Sequence, residues 1–511
     1  MQFHDLPVEL LVDICAALSK PSHLARVSLV NKTFCAFATP RLYQRIYIYS
    51  WHKEGKANIP KLFRTLAECI RLAQYVKYLE IRDFPRALTR ESYASVMETC
   101  LVGIANCTNL KSCTWTRDGS MTSDVLRVLS GLPALEFLAI NGHSNGNYDP
   151  SVLRLLKRIK HISIIMPSSD VVNMLQPWVQ ELRGGLRGLT LICKASNLIT
   201  DELLTTLAVY VPGLEEFQLV GCPKVTHSGV AAVVSASQRG IKSLGLEGVS
   251  SVFDMTTFAH ECHRTRAMIH LTSVTLSVPS AISKAMWLTS SDDSGDTRSP
   301  DVDDRNSGAA CSPQIWFQSV LSLLNSSPLH HFHIYSSGGR VVLPDSFVRS
   351  IVDAHCTRLK RFSVHRMVIR LRAIKYICEL CERLEDLFVH VHKGTFYDLG
   401  PVLQVSRTIE KVHVNIAPDM ALAIIPGGDD EPEDDEEEPI ASASSAYVPP
   451  HVVLGVVRAA GERIVQFGCN TRVYQVAKVP VVLPSGEVQI VRELRAYESP
   501  DIPEQFLVVR T

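Results

Sequence analysis

The sequence predicts an α/β solenoid, a short all-α module followed by a long array of strand-and-return units, and three observations carry that expectation. The spacing apolar-x-x-apolar-x-apolar recurs along most of the 511 residues. Residues 1–45 depart from it and carry apolar positions three and four apart, the period of helices. Hydrophobic content of 46% and charged content of 20% are ordinary for a chain that buries a core. Length alone would allow several compact domains, so the repetition is what selects an elongated array.

In the helical module, Pro7 suits a first helical turn, where its missing N–H has no partner to lose, and Glu9 favours the positive end of the helix dipole. Leu10, Leu11, Ile14 and Leu18 then fall on one face. Pro21 stops that helix and Ser22 is placed to cap a second one, running through Leu24, Val27, Val30 and Phe34. Two such short helices bury too little to stand alone, so their apolar faces need a neighbour.

The pattern Leu6-Pro7-x-Glu9-Leu10-Leu11-x-x-Ile14, then Leu18, Pro21, Leu24, Val27 and Leu29-Val30-Asn31-Lys32-x-Phe34, resembles the F-box, with Phe34 where that family often has Trp. The resemblance implies docking to the Skp adaptor, and through it to a cullin, in an SCF-type ubiquitin ligase. Leu6, Pro7, Glu9, Leu10, Ile14, Leu18, Leu24, Val27, Val30 and Phe34 would be the adaptor-binding residues. Periodicity by itself leaves a second possibility open, that Leu6, Ile14, Leu24 and Val27 are the core of a cap on the body behind them.

Residues 46–75 read as a transition, with Ile46 to Tyr49 as an edge strand and Leu62, Phe63, Leu66, Ile70 and Leu72 as a helical face. The array follows over residues 76–470. Its copies begin Val76-x-x-Leu79-x-Ile81, Leu110-x-x-Cys113-x-Trp115, Leu135-x-x-Leu138-x-Ile140, Ile159-x-x-Ile162-x-Ile164, Leu186-x-x-Leu189-x-Leu191 and Leu214-x-x-Phe217-x-Leu219. They continue with Ile241-x-x-Leu244-x-Leu246, Leu271-x-x-Val274-x-Leu276, Leu329-x-x-Phe332-x-Ile334, Leu359-x-x-Phe362-x-Val364, Leu384-x-x-Leu387-x-Val389 and Ile409-x-x-Val412-x-Val414. Uninterrupted copies start roughly 25 to 30 residues apart, the period of leucine-rich repeats. Each predicts a short strand with alternate residues inward, then a return segment often carrying a helix, as at Asp201 to Val211 or Phe347 to His355. The stretch Leu214 to Val230 resembles the cysteine-containing repeat common in F-box receptors, which implies that Cys222 satisfies buried backbone groups at a turn. Other copies mostly lack the asparagine or cysteine, so the expected horseshoe is an irregular one.

Two inserts interrupt the array. Residues 290–313 are rich in Ser, Asp and Gly, residues 427–450 include the acidic run Asp429 to Glu438, and neither has the apolar content to order itself. They read as solvated loops, with phosphorylation of the first and an electrostatic role for the second as sharper alternatives. Ile464-x-x-Phe467-x-Cys469 reads as one more strand, Val479 to Leu483 and Val488 to Val491 as a hairpin, and Glu498 to Val509 as a closing cap within a C-terminal segment 471–511. This closing segment resembles those of fungal F-box proteins with divergent leucine-rich repeats.

Lys plus Arg and Asp plus Glu balance at 52 each, which gives no basic field to draw nucleic acid or anionic lipid. No basic leader or membrane-length apolar run is present in the sequence, so the expectation is a cytoplasmic or nuclear protein with no membrane partner. The 14 cysteines are scattered in apolar runs, and Cys378 and Cys381 sit on a helical core face without a second pair, so neither disulfides nor a metal is expected. No phosphate loop, nucleophile elbow or zinc-protease motif occurs, so neither enzymatic activity nor a cofactor is expected.

Alternation instead exposes a strand face carrying Glu80, Arg82, Thr114, Thr116, Gln218, Glu247, Ser363 and Asn415. Its later strands add His333, Tyr335, His365, Phe388, His390 and His413, a series of rings suited to binding a protein substrate. A solvated or covered face is the plainer alternative.

Overall fold

The computed structural model describes residues 7–18, 20–49, 55–85, 90–291, 312–336, 341–417, 447–484 and 486–497. Leu6, residues 292–311 of the first insert, 427–446 of the second and the expected closing cap at 498–509 lie outside them. The chain divides after Met268 into two compact units.

The first unit begins with three helices, α1 (Leu10–Ala17), α2 (Pro21–Ser28) and α3 (Lys32–Gln44). The second helix expected from the sequence is therefore two. Asn31 explains the break: it is extended, at φ −163°, and its Oδ1 accepts a 2.9 Å hydrogen bond from the Phe34 N–H, capping a fresh helix. Pro21 opens α2 with Lys20 in the cap position, so Ser22 does not serve as its cap. Cys15, Leu24 and Ala38 form the small core of the module, with Leu18, Val27, Phe37 and Leu42 packed around it.

The sheet of this unit starts in the stretch expected as a transition. Strand β1 (Arg45–Ile48) pairs in parallel register with β2 (Tyr78–Ile81), and helices α4 (Gly55–Glu68) and α5 (Ile70–Ala73) connect them. Parallel pairing continues through β3 (Ser112–Trp115), β4 (Phe137–Asn141), β5 (His161–Ile165), β6 (Gly188–Ile192), β7 (Glu216–Val220) and β8 (Ser243–Glu247). A helix or a single 3₁₀ segment returns the chain after each of β2 to β8.

The second unit repeats the plan with β9 (Ser273–Val278), β10 (His331–Ser336), the short β11 (Val341–Val342), β12 (Arg361–Val368), β13 (Asp386–His392), β14 (Lys411–Ala417) and β15 (Gln466–Cys469). The chain then reverses at Asn470 (φ +51°) into an antiparallel ribbon, β16 (Arg472–Val482) and β17 (Val488–Ala496), longer than the predicted hairpin. Asn470 holds the reversal by accepting from the Ile416 N–H through Oδ1 at 2.9 Å and donating its own N–H to the Val414 carbonyl at 3.0 Å.

Every repeated apolar position of the twelve predicted copies is at most 3% exposed, so the alternation seen in the sequence is the alternation of the core. Both units are thus open sheets of repeated strand–helix units, the predicted α/β solenoid, with the core between the strands and their return segments. Among the described residues no helix is long and apolar enough to cross a membrane.

Candidate functional site

Two surfaces gather the residues singled out by the sequence. On the helical module, Leu11 and Cys15 point into the core and Leu18 packs against it, while Leu10 and Ile14, each one residue earlier on the helix, point out. The expectation of one shared face for Leu10, Leu11, Ile14 and Leu18 is corrected accordingly: a 100° step per residue separates the two sets. Leu24, predicted as an adaptor contact, is buried at 4% exposure in the module's own core, and Val27 and Phe34 are half-buried. Pro7, Glu9, Leu10, Ile14 and Val30 are exposed, joined by Val8, Val12 and Leu29, which were not among the expected adaptor contacts. Leu29 is 84% and Val30 64% exposed in the turn between α2 and α3, where apolar side chains gain nothing from the fold itself.

The second surface is the strand face of the second unit. The predicted ring series is not spread over solvent: Tyr335, Phe388 and His413 are buried, and His333, His365 and His390 are half-buried. Neighbouring strands lie about 4.8 Å apart, so rings at matching positions stack and hide one another's faces. His333 and His365 have centroids 4.4 Å apart, His365 and Phe388 3.7 Å at 13°, and Phe388 and His413 4.7 Å at 5°.

In the β10–β12 register His365 pairs with Tyr335 and Ser363 with His333, so the His365 ring enters the row from two residues along its strand. A register shift in β12 between Ser363 and Val368, with Arg366 at φ +53°, accompanies the diagonal placement of His365 between His333 and Phe388. His413 lies over Gly468, where a Cβ would meet its Nδ1 at 1.9 Å, and its Nε2 is 2.9 Å from the Asn470 carbonyl oxygen.

Burial holds His333, His390 and His413 down to about 4, so these rings are neutral near neutral pH. Nε2 of His333 and both ring nitrogens of His390 lack hydrogen-bond partners among the described residues. Below the stack, Arg361 and Asp386 pair at 2.6 Å, and Lys411 approaches the same carboxylate at 3.6 Å.

In the first unit the corresponding face is milder. Thr114, Ala139, Ser163 and Thr190 occupy one register row. Gly188, lacking a side chain, lets His161 reach Glu216 at 3.4 Å across an intervening strand. Glu247, at the end of β8, is raised by burial to about 7. Cys378 and Cys381 are buried, and burial first of all pushes both thiols up to about 12. Among the described residues no three His, Cys, Asp or Glu side chains are grouped to hold a metal ion.

Residues 3–49 match the family model described as F-box-like. No curated protein matches the chain. Among solved structures it is similar to the crystal structure of the Rad7 and Elc1 complex in yeast, with a TM-score of 0.41 and 12% identity over 82% of this chain and 87% of that one. It is also similar to the leucine-rich repeat-containing protein LegL7 from Legionella pneumophila, with a TM-score of 0.35 and 10% identity over 60% of this chain and 83% of that one. The chain therefore carries an F-box-like domain at residues 3–49, followed by strand–helix units with leucine-rich-repeat spacing.

Proposed function

We propose that this protein is a non-catalytic substrate-recognition subunit of an SCF-type ubiquitin ligase. The helical module docks to a Skp-type adaptor and so to a cullin, and the repeat body holds a protein substrate. It acts by proximity, raising the effective concentration of a substrate lysine near the charged ubiquitin carrier, and does no bond chemistry itself. The observation that carries this reading is the outward set Leu10, Ile14, Leu29 and Val30, left exposed within the segment that matches an F-box-like domain.

A second reading is favoured by the packing of α3 against α5 and β1, which ties the module to the sheet. On that reading the module is only a cap, and the protein is a repeat scaffold that recruits no ligase. Changing Leu10, Ile14 and Val30 together to Asp separates the two. These side chains lie outside the module core, so helix content and melting temperature should stay close to those of the unaltered chain. Co-purification with the Skp adaptor from cells should fall at least tenfold. Undiminished co-purification of the folded triple variant would sink the ligase reading and leave the scaffold.

A further inference from the structure

We propose that the strand face of the first unit binds an extended, apolar stretch of a partner protein that carries a lysine or arginine, with Glu247 taking the cation and Ile165, Ile192 and Val220 its apolar neighbours. The proposal rests on the repeat body holding a protein, and not on the helical module recruiting a ligase.

Consecutive pairings place Asn141, Ile165, Ile192, Val220 and Glu247 in one register row across β4 to β8. Strand alternation turns this row away from the core, which takes the residue before each instead. Ile165 and Ile192 are half-buried and Val220 is buried beside them, so together they form a shallow apolar strip. Two residues back along each strand, the row Ala139, Ser163, Thr190, Gln218 and Gly245 is made mostly of small side chains. A partner backbone can therefore lie low over it. The Ser163 and Thr190 hydroxyls make no hydrogen bond among the described residues and are free to meet its peptide groups.

Glu247 specifies the chemistry of the partner. Its carboxyl ends the apolar row, half-buried beside Val220, and has neither a hydrogen bond nor a counter-ion among the described residues. The other acid that β4 to β8 present on this face, Glu216, is answered by His161 at 3.4 Å. A carboxylate set beside aliphatic side chains without compensation costs stability, and burial alone lifts Glu247 to about 7. A docked cation offsets that cost, whereas an acidic or apolar group does not. From Ile165 to Glu247 the row crosses about 14 Å, which an extended chain covers in about five residues. Side chains two apart share a face of such a chain, so the expected segment has apolar residues at its first and third positions and the cation at its fifth.

Selection from a display library of random twelve-residue peptides, panned on the full chain at pH 8, tests this. Enriched peptides should carry Lys or Arg two residues from an aliphatic side chain, and a synthetic copy should bind the full chain in fluorescence anisotropy. Its Kd should rise at least tenfold on Glu247→Gln and on Thr190→Trp, which fills the floor of the strip. Glu247→Lys should weaken it further, and exchanging the peptide cation for Asp should restore binding to that variant alone. Enrichment of no peptide, or of peptides without a basic residue, overturns the proposal, as does undiminished binding to folded Glu247→Gln or Thr190→Trp. Self-association of the full chain that Glu247→Lys abolishes would assign the row to a second copy and overturn it too. If Glu247→Lys does not fold, Glu247→Gln decides. Co-purification with the Skp adaptor reads the helical module and stands or falls separately.

Discussion

Gly221 follows β7 at φ +67°, and a Cβ there would come within 2.2 Å of the Cys193 carbonyl oxygen of the preceding repeat. Left-handed backbone is open to glycine at no steric cost, and here the close approach of two backbones excludes any side chain as well. Gly221→Ala should destabilise the first unit by on the order of 2 kcal/mol or more, read as a lower urea midpoint at unchanged slope. Beside it the Cys222 thiol donates to the Val220 carbonyl at 3.6 Å, the backbone role that its resemblance to cysteine-containing repeats implied. The same lack of a Cβ does different work at Gly188 and Gly468, where it admits His161 and His413. The sequence displays these glycines without showing which histidine each accommodates, because the histidine belongs to another strand.

Among elements, the return helices are tied to one another through their starts. Asp201, in the first turn of the Asp201–Ala208 helix, accepts hydrogen bonds from the Thr226 N–H at 2.8 Å, the Thr226 hydroxyl at 2.5 Å and the Gly229 N–H at 3.2 Å. One carboxylate thus satisfies two orphan backbone donors at the start of the following repeat's helix, His227–Ala236, and binds adjacent repeats together. Asp201→Ala should cost about 1 to 2 kcal/mol in chemical denaturation, and Asp201→Asn less, since the amide oxygen still accepts. The strands were legible as elements because each repeats one period-2 pattern, whereas the start of α3 at Asn31 was missed, because apolar spacing alone ran a single helix through Phe34. The shift in β12 left no mark of its own: the apolar positions Phe362 and Val364 keep their spacing while the residues after them change partners.

Across the whole molecule, opposite charges meet between consecutive repeats. Glu136 and Lys160 lie 2.6 Å apart, Glu215 and Lys242 2.7 Å, and Lys360 and Glu385 3.0 Å. The balance of 52 basic and 52 acidic residues is partly realised as local pairs, which weakens any long-range field.

Buried titratable groups then dominate the pH response, with opposite signs. Burial places His355 at about 4, so its contribution is present above about pH 6.5 and is lost as pH falls toward its folded value. Burial raises Glu247 to about 7, so its contribution is present below about pH 4.3 and is lost as pH rises through 7. Glu247→Gln should raise the melting temperature of the first unit at pH 8 and change it little at pH 5. An equal shift at both values would count against a raised carboxyl.

By itself the sequence determined the solenoid and its strand positions, since each repeat must bury the same three apolar residues whatever its neighbours do. It also marked the helical module, through local spacing and the residues that carry the F-box resemblance. Only the tertiary structure decided which of the module's apolar residues face out, because Leu24 and Cys15 are buried by a third helix contributing Ala38. It likewise turned the expected open row of rings into a stack, because each ring is covered by one from the next strand, a contact made across repeats and shifted by an irregularity that alternation within a strand cannot register.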